Sequence, residues 1–329
     1  MRIAVVGAGA IGGFVGAILS KAGEDVTLIA RGAHLRAMSE RGIRIKGSLG
    51  EFVTHPKVTD DLTTLTDVGL VILTLKAHSL IGIAPRLASM IGPSTSIISA
   101  QNGIPWWYFY GHGGEFDGLH LEAVDPGGTL SRSFPPERTI GCVIYCSTIV
   151  SEPGVIKHLE GTRFAIGESD GSRSERCHDI AQRFIRAGLR CPIRSNIRHD
   201  IWVKLLGSVA FNPISALTRA TLLEIVRCPE THELSVQIMT EAETIAKRLG
   251  IDVAITKEQR LGGAEKVGNH KTSMLQDVEA GRPLEWESII GVLVELANKL
   301  NLPVPHIRAV AASTKLLSQS LTRTPYQHD

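Results

Sequence analysis

The N-terminal segment constrains the fold of this chain more than any other stretch. A short apolar run, Arg2 to Val6, is suited to a strand that is buried on both faces. A glycine-rich turn, Gly7 to Gly12, follows at once and opens a helical stretch that runs to about Lys21. A second strand-like run covers Asp25 to Ala30. Strand, glycine turn, helix and strand in this order predict the first unit of an α/β domain.

The turn reads GAGAIG, and each of its three glycines has a separate physical task. Gly7 permits the tight turn, Gly9 lets the backbone approach a pyrophosphate, and Gly12 lets the helix pack closely on the strand. The helix that begins at Ala10 and Ile11 offers N–H groups and a partial positive charge to phosphates. We therefore predict that these residues bind a dinucleotide. A glycine turn without a ligand is the alternative.

The end of the second strand indicates which dinucleotide is bound. NAD sites usually have Asp or Glu here, where the carboxylate holds the ribose 2′-hydroxyl. This chain has Ala30-Arg31-Gly32 instead. An arginine can form a bidentate, charge-assisted contact to a 2′-phosphate, and no carboxylate in this run repels it. We predict NADP as the cofactor, with a solvated arginine as the alternative.

Composition excludes several classes of protein. The net charge is +2, from 35 basic and 33 acidic residues without a long basic block, so we expect no nucleic-acid partner. Five cysteines, an odd number without a CxxC pair, argue against a disulfide framework and against a metal site. Apolar runs such as Leu70 to Leu75 are too short to span a membrane. The glycine turn begins at Gly7 and leaves no room for a signal peptide, so we expect a cytoplasmic protein.

Polar residues follow two further predicted strands. Lys76 comes after Val71 to Leu75, and Asn102 comes after Ser96 to Ala100. Because ligands of open parallel sheets lie beyond the carboxyl ends of the strands, both residues are candidates for the site. A solvated lysine and a turn-forming Asn-Gly pair are the alternatives.

An aromatic insertion at about 104–138 breaks the alternation of strands and helices. Five aromatics stand together at Trp106 to Tyr110 in a chain that is only 5% aromatic. Long ordered loops are often lids or binding loops. Aromatic side chains that fasten the loop to its domain are an equally good interpretation.

The character of the sequence changes near residue 195. Strand-like runs resume at Thr139 to Val150 and around Arg163 to Ile166, but later segments repeat apolar residues at helical spacing, as in Leu234 to Arg248 and Glu285 to Leu300. We therefore predict an NADP-binding domain over residues 1–195, which includes the insertion, and a helical substrate and catalytic domain over residues 196–329.

Six motifs occur in an order that resembles one enzyme family over nearly the whole chain. They are GxGxxG with Arg31, Thr74-Leu75-Lys76, Gln101-Asn102-Gly103, Trp202-Val203-Lys204-Leu205, Asn212-Pro213 and Ser273-Met274-Leu275-Gln276-Asp277. Together they resemble the ketopantoate reductase (2-dehydropantoate 2-reductase) family. The resemblance implies a Rossmann domain joined to an all-helical domain of the kind found in 6-phosphogluconate dehydrogenase. It also implies that NADPH reduces a 2-oxo acid, ketopantoate, to pantoate in pantothenate biosynthesis.

The resemblance also implies roles for individual residues. Lys204 corresponds to the catalytic lysine, and Glu285 to its acidic partner. Arg31 and Lys76 correspond to ligands of the adenosine 2′-phosphate, while Asn102 holds the nicotinamide ribose side near the substrate. The implied substrate contacts are Asn102, Ser208, Asn212 and Ser273.

The residue types fit this chemistry. Hydride attack on a ketone builds negative charge on oxygen, so a positioned cation that can also donate a proton is required. Lys204 meets both needs, and Glu285 would hold its ammonium. A lysine on a helix is more often a surface charge, and Ser273 could equally cap a local helix.

Three positions depart from the family pattern. Ser208 and Leu222 stand where asparagines are expected, and Tyr145 stands where a histidine is expected. A polar group left unpaired costs about 1–3 kcal/mol, enough to change specificity by tens of fold. Two alternatives therefore stay open: a related NADPH-dependent reductase of a bulkier oxo acid, and a non-catalytic NADPH-binding sensor. The apolar helical domain also allows a homodimer.

Overall fold

The computed structural model describes residues 1–322, which form two compact units. The first unit comprises Met1–Gln101, Trp106–His120 and Asp125–Ile197. The second comprises Asn102–Pro105, Leu121–Val124 and the chain from Arg198 onward. Two short segments from the N-terminal half of the sequence therefore belong to the second unit.

A nine-stranded sheet is the framework of the first unit. Its strands are β1 (Arg2–Val6), β2 (Asp25–Ile29), β3 (Ile43–Gly47), β4 (Phe52–Thr54), β5 (Lys57–Thr59), β6 (Leu70–Leu73), β7 (Ser96–Ser99), β8 (Thr139–Glu152) and β9 (Val155–Glu168). They lie in the order β4-β3-β9-β8-β7-β6-β1-β2-β5. The strands from β8 to β5 along this order are mutually parallel, while β8 and β9 form a long antiparallel hairpin.

The register of the parallel strands brings their carboxyl ends to one edge. Val6 at the end of β1 pairs with Ile29 at the end of β2 and with Leu73 at the end of β6. Leu73 in turn pairs with Ser99 at the end of β7. The residues that follow these four strands, including the glycine turn, therefore leave the sheet at the same edge.

The first helix, α1 (Ala10–Lys21), is enclosed by the sheet. Its eight consecutive residues Gly12 to Leu19 are all buried, as expected of a helix that is apolar all round. β4 and β5 form opposite edges of the sheet, yet only His55 and Pro56 separate them in sequence. The two edges are therefore close together, and the sheet curls around α1. The sequence did not predict this curl, because each strand pattern is local.

The remaining helices of the first unit are α2 (Gly32–Arg41), α3 (Ala77–Leu87), α4 (Thr129–Ser133) and α5 (Glu175–Arg186). The aromatic insertion packs into this unit rather than lying over it as a lid. Trp107, Tyr108 and Phe109 are at most 2% exposed. A Cβ on Gly141 of β8 would lie 2.5 Å from the Trp107 ring, so the indole packs directly on the strand. The aromatic side chains fasten the insertion to the sheet.

The described residues of the second unit contain helices and no strands. It comprises α6 (Ile197–Thr218), α7 (Leu222–Arg227), α8 (Pro229–Arg248), α9 (Lys257–Val267), α10 (Ser273–Glu279), α11 (Val292–Lys299) and α12 (Pro305–Thr322). A π-helical turn at Glu287–Gly291 precedes α11, within the segment Glu285 to Leu300 whose apolar residues recur at helical spacing. Apolar spacing does not distinguish an α-helical from a π-helical turn.

The longest helix of the second unit is also its most buried. By length and composition, α6 is the one helix among residues 1–322 that could cross a membrane. However, 67% of its apolar window is buried inside the protein, and Trp202 and Leu206 are fully buried. These features are typical of a core helix.

Candidate active site

Two glycines of the turn, Gly7 and Gly12, are held by contacts that leave no space for a side chain. Gly7 has a φ of +96°, and its N–H donates to the Ile29 carbonyl at 3.2 Å. A Cβ on Gly12 would lie 2.2 Å from the Gly7 carbonyl oxygen and 2.3 Å from Thr74 Oγ1. The Thr74 hydroxyl donates to that same carbonyl at 2.8 Å. Gly7 and Gly12 therefore serve the geometry of the turn itself.

Gly9 has a different environment. It has ordinary dihedral angles (φ −72°, ψ −152°), and a Cβ built on it would meet nothing within 4 Å. No side chain caps the helix that begins at Ala10 and Ile11, and its first turn contains no acidic residue. An open approach to backbone at a helix N-terminus fits the pyrophosphate of a dinucleotide.

Arg31 and Lys76 flank this turn at the same edge of the sheet. Arg31 follows β2, is exposed, and precedes α2 in extended conformation (φ −147°, ψ 164°). Lys76 follows β6, and its carbonyl accepts from the first turn of α3. The Gln101 amide donates to the Leu73 and Leu75 carbonyls at 2.9 and 3.1 Å and so fixes the backbone that leads to Lys76.

Three side chains from distant parts of the sequence meet in the second unit. Lys204 Nζ donates to Asn102 Oδ1 at 2.8 Å. Asn102 Nδ2 donates to Glu285 Oε2 at 3.3 Å. Glu285 is only 8% exposed. The Asn102 amide therefore joins an ammonium to a buried carboxylate, and we call these residues the Lys204 cluster.

One face of α6 carries the cluster lysine and two further polar residues. Lys204, Ser208 and Asn212 are spaced four residues apart, so they lie along one side of the helix. The Ser208 hydroxyl donates to the Lys204 carbonyl at 3.3 Å. Lys204 is half-buried, and its amine is bonded to Asn102, so the alternative of a solvated surface lysine was wrong.

The other implied substrate residues are not joined to the cluster by hydrogen bonds. Ser273 is the exposed first residue of α10, and the cap of that helix is Thr272, which accepts from the Leu275 N–H at 3.2 Å. The interpretation of Ser273 as the cap was therefore wrong by one residue. Within residues 1–322, neither the Ser273 hydroxyl nor the Asn212 amide has a hydrogen-bond partner.

Tyr145 and Leu222 are the two remaining residues that depart from the family pattern. Tyr145 lies in β8, with the Arg163 guanidinium 4.8 Å from its ring centroid. Leu222 begins α7 and is half-buried.

Within residues 1–322, no group of three or more His, Cys, Asp or Glu side chains could hold a metal ion.

Two family models match the chain, one in each part. Residues 3–171 match the model described as Ketopantoate reductase PanE/ApbA, and residues 196–318 match the model of its C-terminal domain. The chain belongs to the ketopantoate reductase family. This result confirms the resemblance and the fold class, a Rossmann-like domain with a helical C-terminal domain.

Relatives of this ketopantoate reductase family member match it over almost their full lengths. A 2-dehydropantoate 2-reductase of Mesorhizobium japonicum is 44% identical over 319 residues, which are 97% of this chain and 98% of the relative. One from Pyrococcus horikoshii is 31% identical over 93% of each chain. The crystal structure of a putative ketopantoate reductase from Ralstonia solanacearum MolK2 superposes with a TM-score of 0.92 at 36% identity, covering 97% of this chain and 98% of the other.

Sequence reasoning gave no role to two groups of the site. Thr74 was noted as part of a motif, but the structure shows its hydroxyl bonded to the glycine turn. The π-helical turn beside Glu285 has no signal in the apolar pattern. The Thr74 contact joins segments that are 67 residues apart in the sequence.

Proposed function

We propose that this chain reduces ketopantoate to pantoate with NADPH as the hydride donor. The observation that carries the proposal is the Lys204 cluster, in which Lys204 Nζ lies 2.8 Å from Asn102 Oδ1. The relatives named 2-dehydropantoate 2-reductase support it, because they match 97% and 93% of the chain.

The glycine turn and its surroundings fit a dinucleotide. Gly9 is open to a pyrophosphate, and the uncapped start of α1 offers N–H groups and a partial positive charge. Arg31 and Lys76 would hold the 2′-phosphate end. A bound reduced nicotinamide supplies the hydride that the ketone carbon accepts.

Lys204 is the proposed acid of the reaction. As the ketone carbon gains a hydride, the carbonyl electron pair moves to oxygen, and the ammonium stabilises this charge. Nζ then transfers one proton to the oxygen, which completes the 2-hydroxy acid. Asn102 Oδ1 accepts one N–H of the Lys204 ammonium and so fixes the direction of Nζ, while Asn102 Nδ2 donates to the buried Glu285 carboxylate and holds the amide in this orientation.

The side of α6 that carries Lys204, Ser208 and Asn212 supports a second candidate function, the reduction of a different and bulkier oxo acid. The Ser208 hydroxyl donates its hydrogen to the Lys204 carbonyl, so in this arrangement its oxygen can accept a hydrogen bond from a substrate but cannot donate one. Its side chain is also shorter than the asparagine expected at this position. Asn212 and Ser273 remain as proposed contacts for the polar groups of either substrate.

Turnover by the wild-type protein and by Lys204→Ala tests the proposal. NADPH oxidation is measured with ketopantoate and with a panel of bulkier 2-oxo acids. We expect turnover of ketopantoate, and a loss of kcat of about 10²- to 10⁴-fold in Lys204→Ala, the usual contribution of a general acid. NADPH affinity, measured by fluorescence, should not change.

Lys247→Ala is the control, since this lysine is exposed on α8. Preference for a bulkier oxo acid would favour the second candidate. NADPH binding without turnover of any oxo acid would contradict both and favour a non-catalytic sensor.

The choice of NADPH over NADH is tested at Arg31. We expect Arg31→Ala to weaken NADPH binding by about 10- to 100-fold, the value of a lost charge-assisted contact, and to leave NADH binding unchanged. Arg41→Ala, at the other end of α2, is the matched control. Equal losses for both cofactors would argue against a 2′-phosphate contact.

A further inference from the structure

We propose that Gly103 is a positioning residue. Its backbone packs directly against the Ser288 carbonyl, which we call the seat, and this packing holds the Asn102 amide against Lys204 and Glu285. This inference rests on the proposed function, in which the Lys204 ammonium is the acid. Gly103 itself contacts neither Lys204 nor a reacting atom; it acts through its neighbour Asn102.

The approach of Gly103 to Ser288 is closer than a side chain would permit. A Cβ on Gly103 would lie 1.8 Å from the Ser288 carbonyl oxygen, 2.4 Å from its carbonyl carbon and 3.0 Å from the Ile289 nitrogen. All three are backbone atoms, which cannot rotate away as a flexible side chain could. Gly103 also has a φ of +85°, a conformation that favours glycine.

A hydrogen bond fixes the next residue to the same carbonyl. The Ile104 N–H donates to Ser288 O at 2.9 Å, and the Ile104 side chain is fully buried. The backbone is thus anchored immediately after Gly103. Because Asn102 precedes it directly, the position of the Asn102 side chain is set by this seat.

The seat belongs to the π-helical turn Glu287–Gly291, where the Val292 N–H reaches back five residues to the Glu287 carbonyl. Such turns occur as single turns within helices and are frequent at functional sites. A Cβ on Gly291 would lie 3.0 Å from the Trp286 ring, so this indole packs across the turn. Trp286 follows Glu285 directly. One short stretch therefore supplies both the Glu285 carboxylate and the carbonyl that locates Asn102.

This arrangement explains how three distant segments reach hydrogen-bond distance. Glu285 and Ser288 lie on one short stretch of chain, and Asn102 directly precedes the residue that packs on Ser288, so local geometry brings Asn102 Nδ2 to 3.3 Å from Glu285 Oε2. Asn102 Oδ1 then sets the position of Lys204 Nζ. A misplacement of about 1 Å in such a site can cost 10²-fold in rate.

The first experiment compares Gly103→Ala and Gly103→Asn with wild type. We expect each to lower kcat by about 10- to 100-fold and to leave the Kd for NADPH unchanged, because the glycine turn lies elsewhere in the chain. Asparagine tolerates positive φ, so equal losses in both variants assign the effect to the Cβ. Recovery of kcat in Gly103→Asn would overturn the proposal.

Gly250→Ala is the matched control. Gly250 has a φ of +76°, but a Cβ on it would meet nothing within 4 Å. This variant therefore carries the backbone strain without the clash, and we expect its kcat to equal that of wild type. If Gly103 variants fail to fold, Gly291→Ala displaces the seat more mildly, since its Cβ would meet the Trp286 ring at 3.0 Å. We expect a loss of kcat of about two- to tenfold there.

A double-mutant cycle separates positioning from general damage. If Gly103 acts only through Asn102, Gly103→Ala should cost nothing further in an Asn102→Ala background. A full additional loss in that background would overturn the proposal. The same cycle applies to Gly291→Ala.

A readout independent of turnover distinguishes this proposal from the proposed function. The side-chain amide signals of Asn102 in NMR spectra, assigned by their disappearance in Asn102→Ala, should shift in Gly103→Ala but not in Gly250→Ala. Absence of oxo-acid reduction by wild type would contradict the proposed function alone. An unchanged Asn102 signal in Gly103→Ala would contradict the seat alone.

Discussion

A backbone carbonyl packs so closely against Gly12, and another against Gly103, that neither position has space for a side chain. The two carbonyls come from different parts of the sequence. The carbonyl at Gly12 is that of Gly7, within the same turn between β1 and α1. The carbonyl that packs against Gly103 is that of Ser288, which lies 185 residues later in the sequence. The closest contact of Gly12 is thus local, whereas that of Gly103 needs a distant part of the second unit to be in place.

The two regions also differ in charge. The start of α1 has no acidic residue, as an anion site requires. The Lys204 cluster instead combines a lysine with the carboxylate of Glu285, and Glu287 follows two residues later in the sequence. Burial, with a smaller contribution from the neighbouring Glu285, raises the pKa of the Glu287 carboxyl. The start of α1 therefore carries no negative side chain, while the cluster contains a carboxylate of its own.

The largest effect should come from Gly12→Ala. Its Cβ would meet the Gly7 carbonyl oxygen at 2.2 Å, so we expect a loss of about 1–3 kcal/mol in the free energy of unfolding, as for an overpacked core, together with loss of NADPH binding. Denaturant unfolding and fluorescence titration measure both.

Gly9→Ala is the matched variant, because its Cβ would meet no protein atom. We expect unchanged stability but NADPH affinity weakened by about 10- to 100-fold, since the pyrophosphate approaches this backbone. Normal NADPH binding in Gly9→Ala would break the interpretation of the turn as a phosphate site.

An intermediate effect is expected from Glu295→Gln. The Glu295 carboxylate on α11 accepts from the Glu122 and Ala123 N–H groups at 3.0 and 2.8 Å. A glutamine side chain in the same position can accept only one of these hydrogen bonds, and we expect a loss of about 0.5–1.5 kcal/mol in the free energy of unfolding. Thermal unfolding measures the loss, and faster hydrogen exchange at Glu122 and Ala123 would locate it. Glu233→Gln, exposed on α8, should change neither.

The smallest effect concerns Glu287→Gln. Because the pKa of the Glu287 carboxyl is raised from 4.5, its ionisation lowers the free energy of unfolding as pH increases from 4.5 through the raised pKa. The glutamine variant should therefore be more stable than wild type at neutral pH, by about a degree or two in Tm, and the difference should disappear near pH 4.5.

Glu258→Gln should behave in the opposite sense. Hydrogen bonds at the start of α9 lower the pKa of the Glu258 carboxyl, so its carboxylate stabilises the fold above pH 4.5. This variant should be less stable than wild type at neutral pH, and the difference should vanish as pH falls through the lowered pKa. Equal pH profiles for the two variants would show that neither carboxyl titrates differently on folding.

The same contrast explains which features the sequence could predict. The glycine turn, α1 and the flanking strands were predicted because their pattern is local and their contacts are short in sequence. Asn102 and Lys76 became candidates because parallel strands end at one edge of the sheet. Lys204 and Glu285 were implied only by the family resemblance, since a single lysine and a single glutamate carry no pattern of their own.

The features that escaped prediction are long-range contacts. The curl of the sheet around α1 depends on strands from both edges. The contact at Ser288 joins Asn102–Pro105 to the π-helical turn Glu287–Gly291, far away in the sequence. Apolar periodicity describes one element at a time and does not describe how two elements meet. The aromatic insertion illustrates the same limit, because its composition fits a lid and a buried fastening equally well.

The curl of the sheet also bears on the association of one copy of the chain with another. Long unpaired edge strands are templates for intermolecular β-pairing and aggregation. Here both edge strands, Phe52–Thr54 and Lys57–Thr59, are only three residues long, and the residues between them include Pro56, which has no N–H to donate. These two edge strands thus give a neighbouring molecule little backbone to extend.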